Sequence, residues 1–283
     1  MQNVHFSTTD IAELFQVNVS TVKRWIDRGL LKSQVTPGGH RRVSQEQLDV
    51  FIRSNARVAK NSYVIQRLRN KPRETHRAWK QLYEHLLKNN IADCRNMVRE
   101  YYLSNAELVH LLEDVMTPAL RHIGDEWSKG HITVYQEHQM SFLVRLLLVE
   151  ISAYVPEPSK NAPNALLACV EGDRHEIPLQ MLSLVLKMQG IRAVVLGTNI
   201  SVAEIIRATE ATRAQYLLIT RIFSKTRSFN YLHTLAKYAS MKKITFVYGG
   251  SGWTDREQGL FHEEHMFFSE SLASFHRYLL VHR

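Results

Sequence analysis

From residue 164 onward the chain alternates short apolar runs with amphipathic stretches, and no other feature restricts the fold as much. Residues 165–170, 193–196, 216–220 and 244–248 are almost unbroken apolar runs. Strands this apolar need cover on both faces. Residues 179–188, 202–212 and 231–239 carry apolar side chains at helical spacing and supply that cover. Strand–helix–strand repetition of this kind predicts parallel strands with right-handed crossovers, hence a flavodoxin-like, doubly wound parallel sheet over 163–283. Ligands on such sheets sit beyond the carboxyl ends of the strands.

The stretch before it is helical throughout. Four segments, 77–88, 91–104, 105–124 and 133–155, predict a four-helix bundle over 76–157. Leu108, Leu111, Leu112, Val115 and Met116 form a core stripe on the third segment. Leu143, Leu146, Leu147 and Ile151 do the same on the fourth.

Charge marks off the other end of the chain. Residues 1–75 hold 13 Lys and Arg against 6 Asp and Glu, whereas the remaining 208 residues hold 23 against 21. A basic end on a nearly neutral body suits a polyanion. Within it, Thr8, Thr9 and Asp10 open a helix bearing Ile11, Leu14 and Phe15, with their side-chain oxygens available as caps. Asn18 or Ser20 can cap a second helix with Val22, Trp25 and Ile26 on one face and Thr21, Lys23, Arg24 and Arg28 on the other. Trp25, spaced with Val22, reads as a core residue. Gly29 ends this helix. Pro37, Gly38 and Gly39 then form the tip of a two-strand wing whose return strand carries His40, Arg41, Arg42 and Val43. Ser44 to Gln47 open a closing helix with Leu48, Phe51 and Ile52 inward. Two short helices, a tight turn and a basic wing make a winged helix-turn-helix over 1–55. Residues 56–75 are basic and poor in large apolar side chains, and read as a linker.

At 283 residues, 45% hydrophobic and 22% charged, the chain has material for two or three cores, and disorder is excluded. Two cysteines, Cys94 and Cys169, cannot build a disulfide framework or a structural zinc site. The first ten residues show no basic segment followed by an apolar one, and no apolar run is long enough to span a bilayer. The expectation is a cytoplasmic protein without a membrane partner.

Three N-terminal motifs carry a resemblance: the run from Phe6 to Ala12, the run from Val19 to Trp25, and Gly38-Gly39-His40-Arg41-Arg42. Together they resemble the DNA-binding domain of MerR-family transcription regulators. The resemblance implies a double-stranded DNA operator, with Ser20, Thr21, Lys23 and Arg24 in the major groove and His40, Arg41 and Arg42 mainly on phosphates. MerR-type activators continue into a long dimerisation helix. No sustained heptad follows here, so sensing and homo-oligomer formation are expected downstream.

Two further patterns point to a ligand. Trp127, Gly130 and Ile132, followed by Glu137, His138 and Ser141, resemble the helical cap of cobalamin-binding methionine synthases and their photoreceptor relatives. There the Trp and the Glu-His pair face the upper side of the corrin. Asp173 and His175 resemble the D-x-H loop of cobalamin-binding domains, in which the His ligates cobalt from below. Leu196-Gly197, then Thr220-Arg221-Ile222, then Gly249-Gly250 fall where that family has small residues beside the nucleotide tail, and Thr226 falls where it places a hydroxyl completing the His–Asp relay. Over nearly the whole chain the order of parts resembles the CarA/CarH/LitR branch of MerR-family repressors.

That resemblance implies a cobalamin-controlled regulator, a repressor and not an enzyme. The sequence departs from the pattern in three places. Pro178 replaces a Gly, Thr220 replaces a Ser, and Ser128 stands where the light-sensing relatives carry a cobalt-capturing His. Control by ligand occupancy or a regulatory protein partner is therefore expected to outweigh control by light. Two alternatives stay open at this stage. One is a regulator of the same fold whose altered pocket senses haem or another ligand. The other is a corrinoid methyl-carrier, which would share the last two domains but has no use for an operator-binding module.

Overall fold

The computed structural model describes residues 5–15, 17–36, 38–44, 47–48, 50–51, 75–103, 108–223, 229–263 and 265–281. The expected linker, Ile52 and Thr226 lie outside these residues, apart from Thr75. In the N-terminal module, β1 (His5–Ser7) precedes α1 (Thr8–Phe15) and α2 (Val19–Asp27); β2 (Gln34–Val35) and β3 (Arg41–Ser44) follow. The wing pairs antiparallel as expected, with Val35 opposite Arg41. A third strand, β1, is added, with Phe6 opposite Val43. The run from Phe6 reads in sequence as a helix start because the cap lies inside it. Ser7 Oγ accepts from Asp10 N–H at 3.2 Å while Asp10 Oδ2 accepts from Ser7 N–H at 2.8 Å. The cap is therefore Ser7, not Thr8 or Thr9. The closing segment is opened by a similar exchange between Ser44 and Gln47. Phe6, Ile11, Phe15, Val22, Val43, Leu48 and Phe51 make the core. Trp25 packs against it, its ring 5.4 Å from Phe15 and 5.0 Å from Phe51.

The bundle consists of α3 (Thr75–Leu87), α4 (Ile91–Leu103), a third helix and α7 (Val134–Tyr154). The third helix is composite: α5 (Leu108–His110), a π-helical turn (Leu111–Met116) and α6 (Thr117–Ser128). It runs on to Ser128, beyond the expected end at 124, because Gly124 meets no obstacle in the helix and the left-handed position comes only at Gly130, φ +73°. Thr133 and Gln136 form the capping box of α7. The wider π turn swings Glu113 towards the C-terminal domain, where its Oε2 accepts from Leu272 N–H at 2.8 Å.

That domain is built from β4 (Asn164–Cys169), α8 (Ile177–Met188), β5 (Arg192–Gly197), α9 (Val202–Thr212), β6 (Tyr216–Thr220), α10 (Phe229–Lys242) and β7 (Thr245–Gly249). α11 (Asp255–Gln258), β8 (His262–Glu263), β9 (Met266–Ser269) and α12 (Leu272–Val281) complete it. The sheet order is β5-β4-β6-β7-β9-β8, parallel except for β8. The flavodoxin-like order expected from the sequence is present, with β9 as its fifth parallel strand. Sequence reading stops at four strands because the run Met266–Ser269 is at the lower limit of strand length.

Strand alternation divides the sheet into two faces. Leu167, Cys169, Leu218 and Val247 share one continuous core with α8, α12 and the bundle. Leu166, Leu217, Ile219 and Phe246 pack under α9 and α10. Bundle and sheet thus share a common apolar core.

Candidate functional site

The basic face of the N-terminal module is carried by α2. Asn18 is its cap: Oδ1 accepts from Ser20 N–H at 3.0 Å and from Ser20 Oγ at 2.9 Å. The Ser20 hydroxyl is thus already engaged, although it is exposed. Lys23, Arg24 and Arg28 are exposed on the same helix, with Arg24 Nη2 lying 3.4 Å from Thr21 Oγ1. Arg41 and Arg42 point to opposite sides of β3. Arg41 shares a side with Val43 and reaches α2, pairing with Asp27 at 2.7 Å and touching Lys23 O at 3.4 Å. It clamps the wing to the helix and cancels the acidic charge of Asp27 on this face. His40 is exposed at the wing tip, after Gly39 at φ +77°.

The second site is the loop after β4. β4 lies between β5 and β6, where the strand order reverses, and this is the ligand crevice of an open α/β sheet. Asp173 is 1% exposed and reaches three elements. Its Oδ1 accepts from His175 Nδ1–H at 2.6 Å and from His175 N–H at 2.9 Å. Its Oδ2 accepts from Ile222 N–H at 2.5 Å and Phe223 N–H at 3.3 Å. On the other side, Asn199 Oδ1 accepts from Gly172 N–H at 2.7 Å. Sequence reading did not single out Asn199, which adopts φ +58° just after β5, a conformation that Asn tolerates better than most residues.

Burial would raise the Asp173 carboxyl, but the bonds from the His175 ring and the Ile222 and His175 amides outweigh it and hold it below its ordinary value. The same ring bond raises His175, against burial, with further help from the charges of Asp173 and Glu137. A carboxylate on Nδ1–H fixes the tautomer and leaves Nε2 as the lone-pair nitrogen. The His175 side chain is half exposed. Beneath it, Cys169 Sγ donates to His175 O at 3.2 Å and lies 3.1 Å from Thr220 Oγ1. Burial pushes this thiol up to about 12, so it stays protonated and supports the loop rather than competing as a ligand.

The bundle presents Glu137 to this loop. Ser141 Oγ donates to Glu137 Oε1 at 2.7 Å, and His138 Nε2 is 3.5 Å from Glu137 Oε2. Trp127 is 50% exposed and the His138 ring is more exposed still. Ser128 Oγ donates to Asp125 O at 2.8 Å, and His131 lies against Glu126 at 3.1 Å.

Three expected tail-side residues are accounted for by the chain itself. Thr220 is 4% exposed, with its hydroxyl on Cys169. A Cβ on Gly249 would meet Ser269 O at 2.8 Å, and one on Gly250 would strike Arg221 O. At both glycines, backbone packing alone already requires a small residue. Pro178 sits in the first turn of α8, where its missing N–H costs nothing.

Arg221 is 1% exposed. Its guanidinium pairs with Glu257 at 2.5 and 3.1 Å, bonds twice to Gly252 O, and stacks 4.1 Å from the Trp253 ring. Burial alone would raise Glu257, but Thr254 and Arg221 hold it below its ordinary value near 4.5. A carboxyl lowered on folding contributes stability above its ordinary value, and loses that contribution as pH falls through the folded value. Urea unfolding on acidification is therefore expected to show a fall in stability that is shallower in Glu257→Gln. Equal falls in both proteins would contradict this.

Comparison with known proteins gives the class first. A helix-turn-helix domain model matches residues 6–56, and two B12 binding domain models match 78–148 and 163–269. The chain therefore carries a helix-turn-helix domain followed by two B12-binding-type domains. Two relatives are named transcriptional repressors of Myxococcus xanthus. The HTH-type transcriptional repressor CarH is 30% identical over 114 residues, covering 40% of this chain and 38% of that protein. The HTH-type transcriptional repressor CarA is 33% identical over 111 residues, covering 34% of this chain and 36% of that protein. The chain thus spans less than two fifths of the curated relatives it matches. Among solved structures, the monomethylamine corrinoid protein of Methanosarcina barkeri superposes with a TM-score of 0.55 at 15% identity, over 73% of this chain and 99% of that one. The bundle-plus-sheet fold is shared with it.

Proposed function

We propose that this chain is a DNA-binding transcriptional regulator, a repressor and not an enzyme, controlled by cobalamin held between its bundle and its α/β domain. The observation that carries the reading is the His175–Asp173 pair at the strand-order reversal of β4 and β6. Asp173 is buried and fixes Nδ1–H, so Nε2 is the free donor on a half-exposed ring. Among the described residues no group of three His, Cys, Asp or Glu side chains is placed to hold a bare metal ion. A single imidazole suits a metal already held by a macrocycle. The B12 binding domain matches over 78–148 and 163–269 favour cobalamin among such groups; His175 would hold its cobalt and Asp173 would orient the imidazole. Trp127, Glu137 and His138 would face it from the bundle. When bound, the group supplies a metal-centred ligand exchange that the protein can read.

The N-terminal module supports a double-stranded DNA partner with repeated half-sites, read by two or more protomers of a MerR-type regulator. Its presence also disfavours the methyl-carrier reading. No described helix is long and apolar enough to cross a membrane, and a cytoplasmic location suits a DNA partner. Because the Ser128 hydroxyl is committed to Asp125 O, trapping of a light-generated state would require His131 or His138 to leave its carboxylate. Ligand occupancy is the better-supported input.

The test is the absorption spectrum of protein reconstituted with hydroxocobalamin. His175→Ala should abolish the histidine-ligated form and weaken uptake, with Asp173→Asn intermediate. Uptake of haem with exclusion of cobalamin would replace the ligand but keep the regulator. Failure to take up cobalamin, or an unchanged spectrum in His175→Ala, would contradict the assignment.

A further inference from the structure

The buried Arg221–Glu257 pair lies on the opposite side of β6 from Thr220, packed with Trp253 and away from His175. Its effect nonetheless ends at His175, by way of a single peptide unit. The carbonyl of Arg221 accepts from Gly252 N–H at 2.9 Å, and the N–H of the same peptide, on Ile222, donates to Asp173 Oδ2 at 2.5 Å. In a planar trans peptide these groups point in opposite directions, so rotating the unit breaks both bonds together.

Gly252 cannot retreat, because its own carbonyl accepts from Arg221 Nε at 2.9 Å and Nη2 at 2.6 Å. Only glycine fits this close approach: a Cβ there would lie 2.9 Å from Arg221 O and from Ile222 C. Glu257 anchors the guanidinium and is itself held by Thr254 N–H and Oγ, each at 2.9 Å. Arg221 N–H adds a bond to Gly249 O at 3.0 Å. The β6 and β7 loops are thereby closed on each other, and the Ile222 N–H is aimed at Asp173.

We infer that Arg221 and Glu257 are positioning residues for His175, acting through the Arg221–Ile222 peptide and the Asp173 carboxylate. The inference draws on the cobalamin reading only for the second of its two measurements. A pair that merely stabilised the sheet would leave the imidazole where it is. A pair that positions it fixes which ring nitrogen carries the proton.

The variants are Glu257→Gln, Arg221→Met and Gly252→Ala. Leu217→Ala serves as control, since it removes buried side chain from the same face of the sheet without touching the loops. In the ligand-free protein, ¹⁵N NMR at alkaline pH reads the His175 tautomer, and hydrogen exchange reads the Ile222 amide. Wild type and Leu217→Ala should show one tautomer and a protected amide. Each of the three variants should show mixed tautomers and at least ten-fold faster exchange at Ile222. Hydroxocobalamin affinity should fall about ten-fold in the same variants, the equivalent of one charge-assisted hydrogen bond.

A single tautomer and a protected Ile222 amide in Glu257→Gln and Gly252→Ala would overturn the inference. So would equal changes in Leu217→Ala. If wild type takes up no hydroxocobalamin but the tautomer responds as described, the positioning role stands and the cobalamin reading falls.

Discussion

Arg24→Ala is expected to weaken binding to the selected operator by about 1–3 kcal/mol, roughly 5- to 150-fold, and to relax base preference at the position it reads. Arg24 is exposed on the outer face of α2 and only loosely held by Thr21, so its guanidinium is free to reach a base edge. Lys23 is exposed beside it, and a lysine at the groove keeps its charge near the phosphates as well as the bases. Lys23→Ala should weaken all sequences alike and lower the salt slope by about one. Arg42→Ala should behave like Lys23→Ala. Arg41→Ala should add a second effect, because it frees Asp27 as an acidic group on the DNA face. The measurement is anisotropy on duplexes recovered by selection from random sequence, at several salt concentrations. Unchanged affinity in all four variants would remove this face as the DNA interface.

Arg221→Ala should destabilise the α/β domain by about 3–5 kcal/mol. The substitution leaves Glu257 buried without its cation, frees Gly252 O and removes the stack on Trp253. Replacing both members with apolar residues, as in Arg221→Met with Glu257→Leu, should recover much of the loss, since a buried pair repays little beyond its own desolvation. Urea unfolding of the single and double variants checks this. A loss below about 1 kcal/mol for Arg221→Ala would show that the pair is solvated in solution.

The doubly wound sheet was legible because four of its strands are apolar on both faces and separated by helix-length amphipathic stretches. β9 was not, because four residues of mixed size leave no period to count. In the bundle, the apolar stripe on Leu111 to Met116 was visible, but not the π turn within it. Glu113 lies in that turn and accepts from Leu272 N–H. The capping residue of α1 was misplaced by one position, because Ser7, Thr8 and Thr9 offer equivalent oxygens and only geometry selects among them.

Site residues divide in the same way. Asp173 and His175 were read through the resemblance of their loop to a D-x-H pattern, with the other motifs in order along the chain. The amides of Ile222 and Phe223 that complete the carboxylate's shell have no sequence signature, since every non-proline residue has an N–H. Gly249 and Gly250 were legible as small; the nearness of Ser269 O and Arg221 O, which also requires it, was not. Arg221 was visible only as one residue of the Thr220-Arg221-Ile222 stretch. Its partner Glu257 lies 36 residues away, so the pairing was invisible before the fold.

The proposed function couples operator binding through α2 and the wing to cobalamin binding at His175, and that coupling can be measured directly. Operator affinity is measured at fixed salt with and without hydroxocobalamin, for wild type and for His175→Ala. The expected result is a ligand-dependent change in wild-type affinity of at least ten-fold, absent in His175→Ala although its ligand-free DNA binding is intact. Equal operator affinity in wild type with and without bound cobalamin, or an undiminished response in His175→Ala, would contradict it.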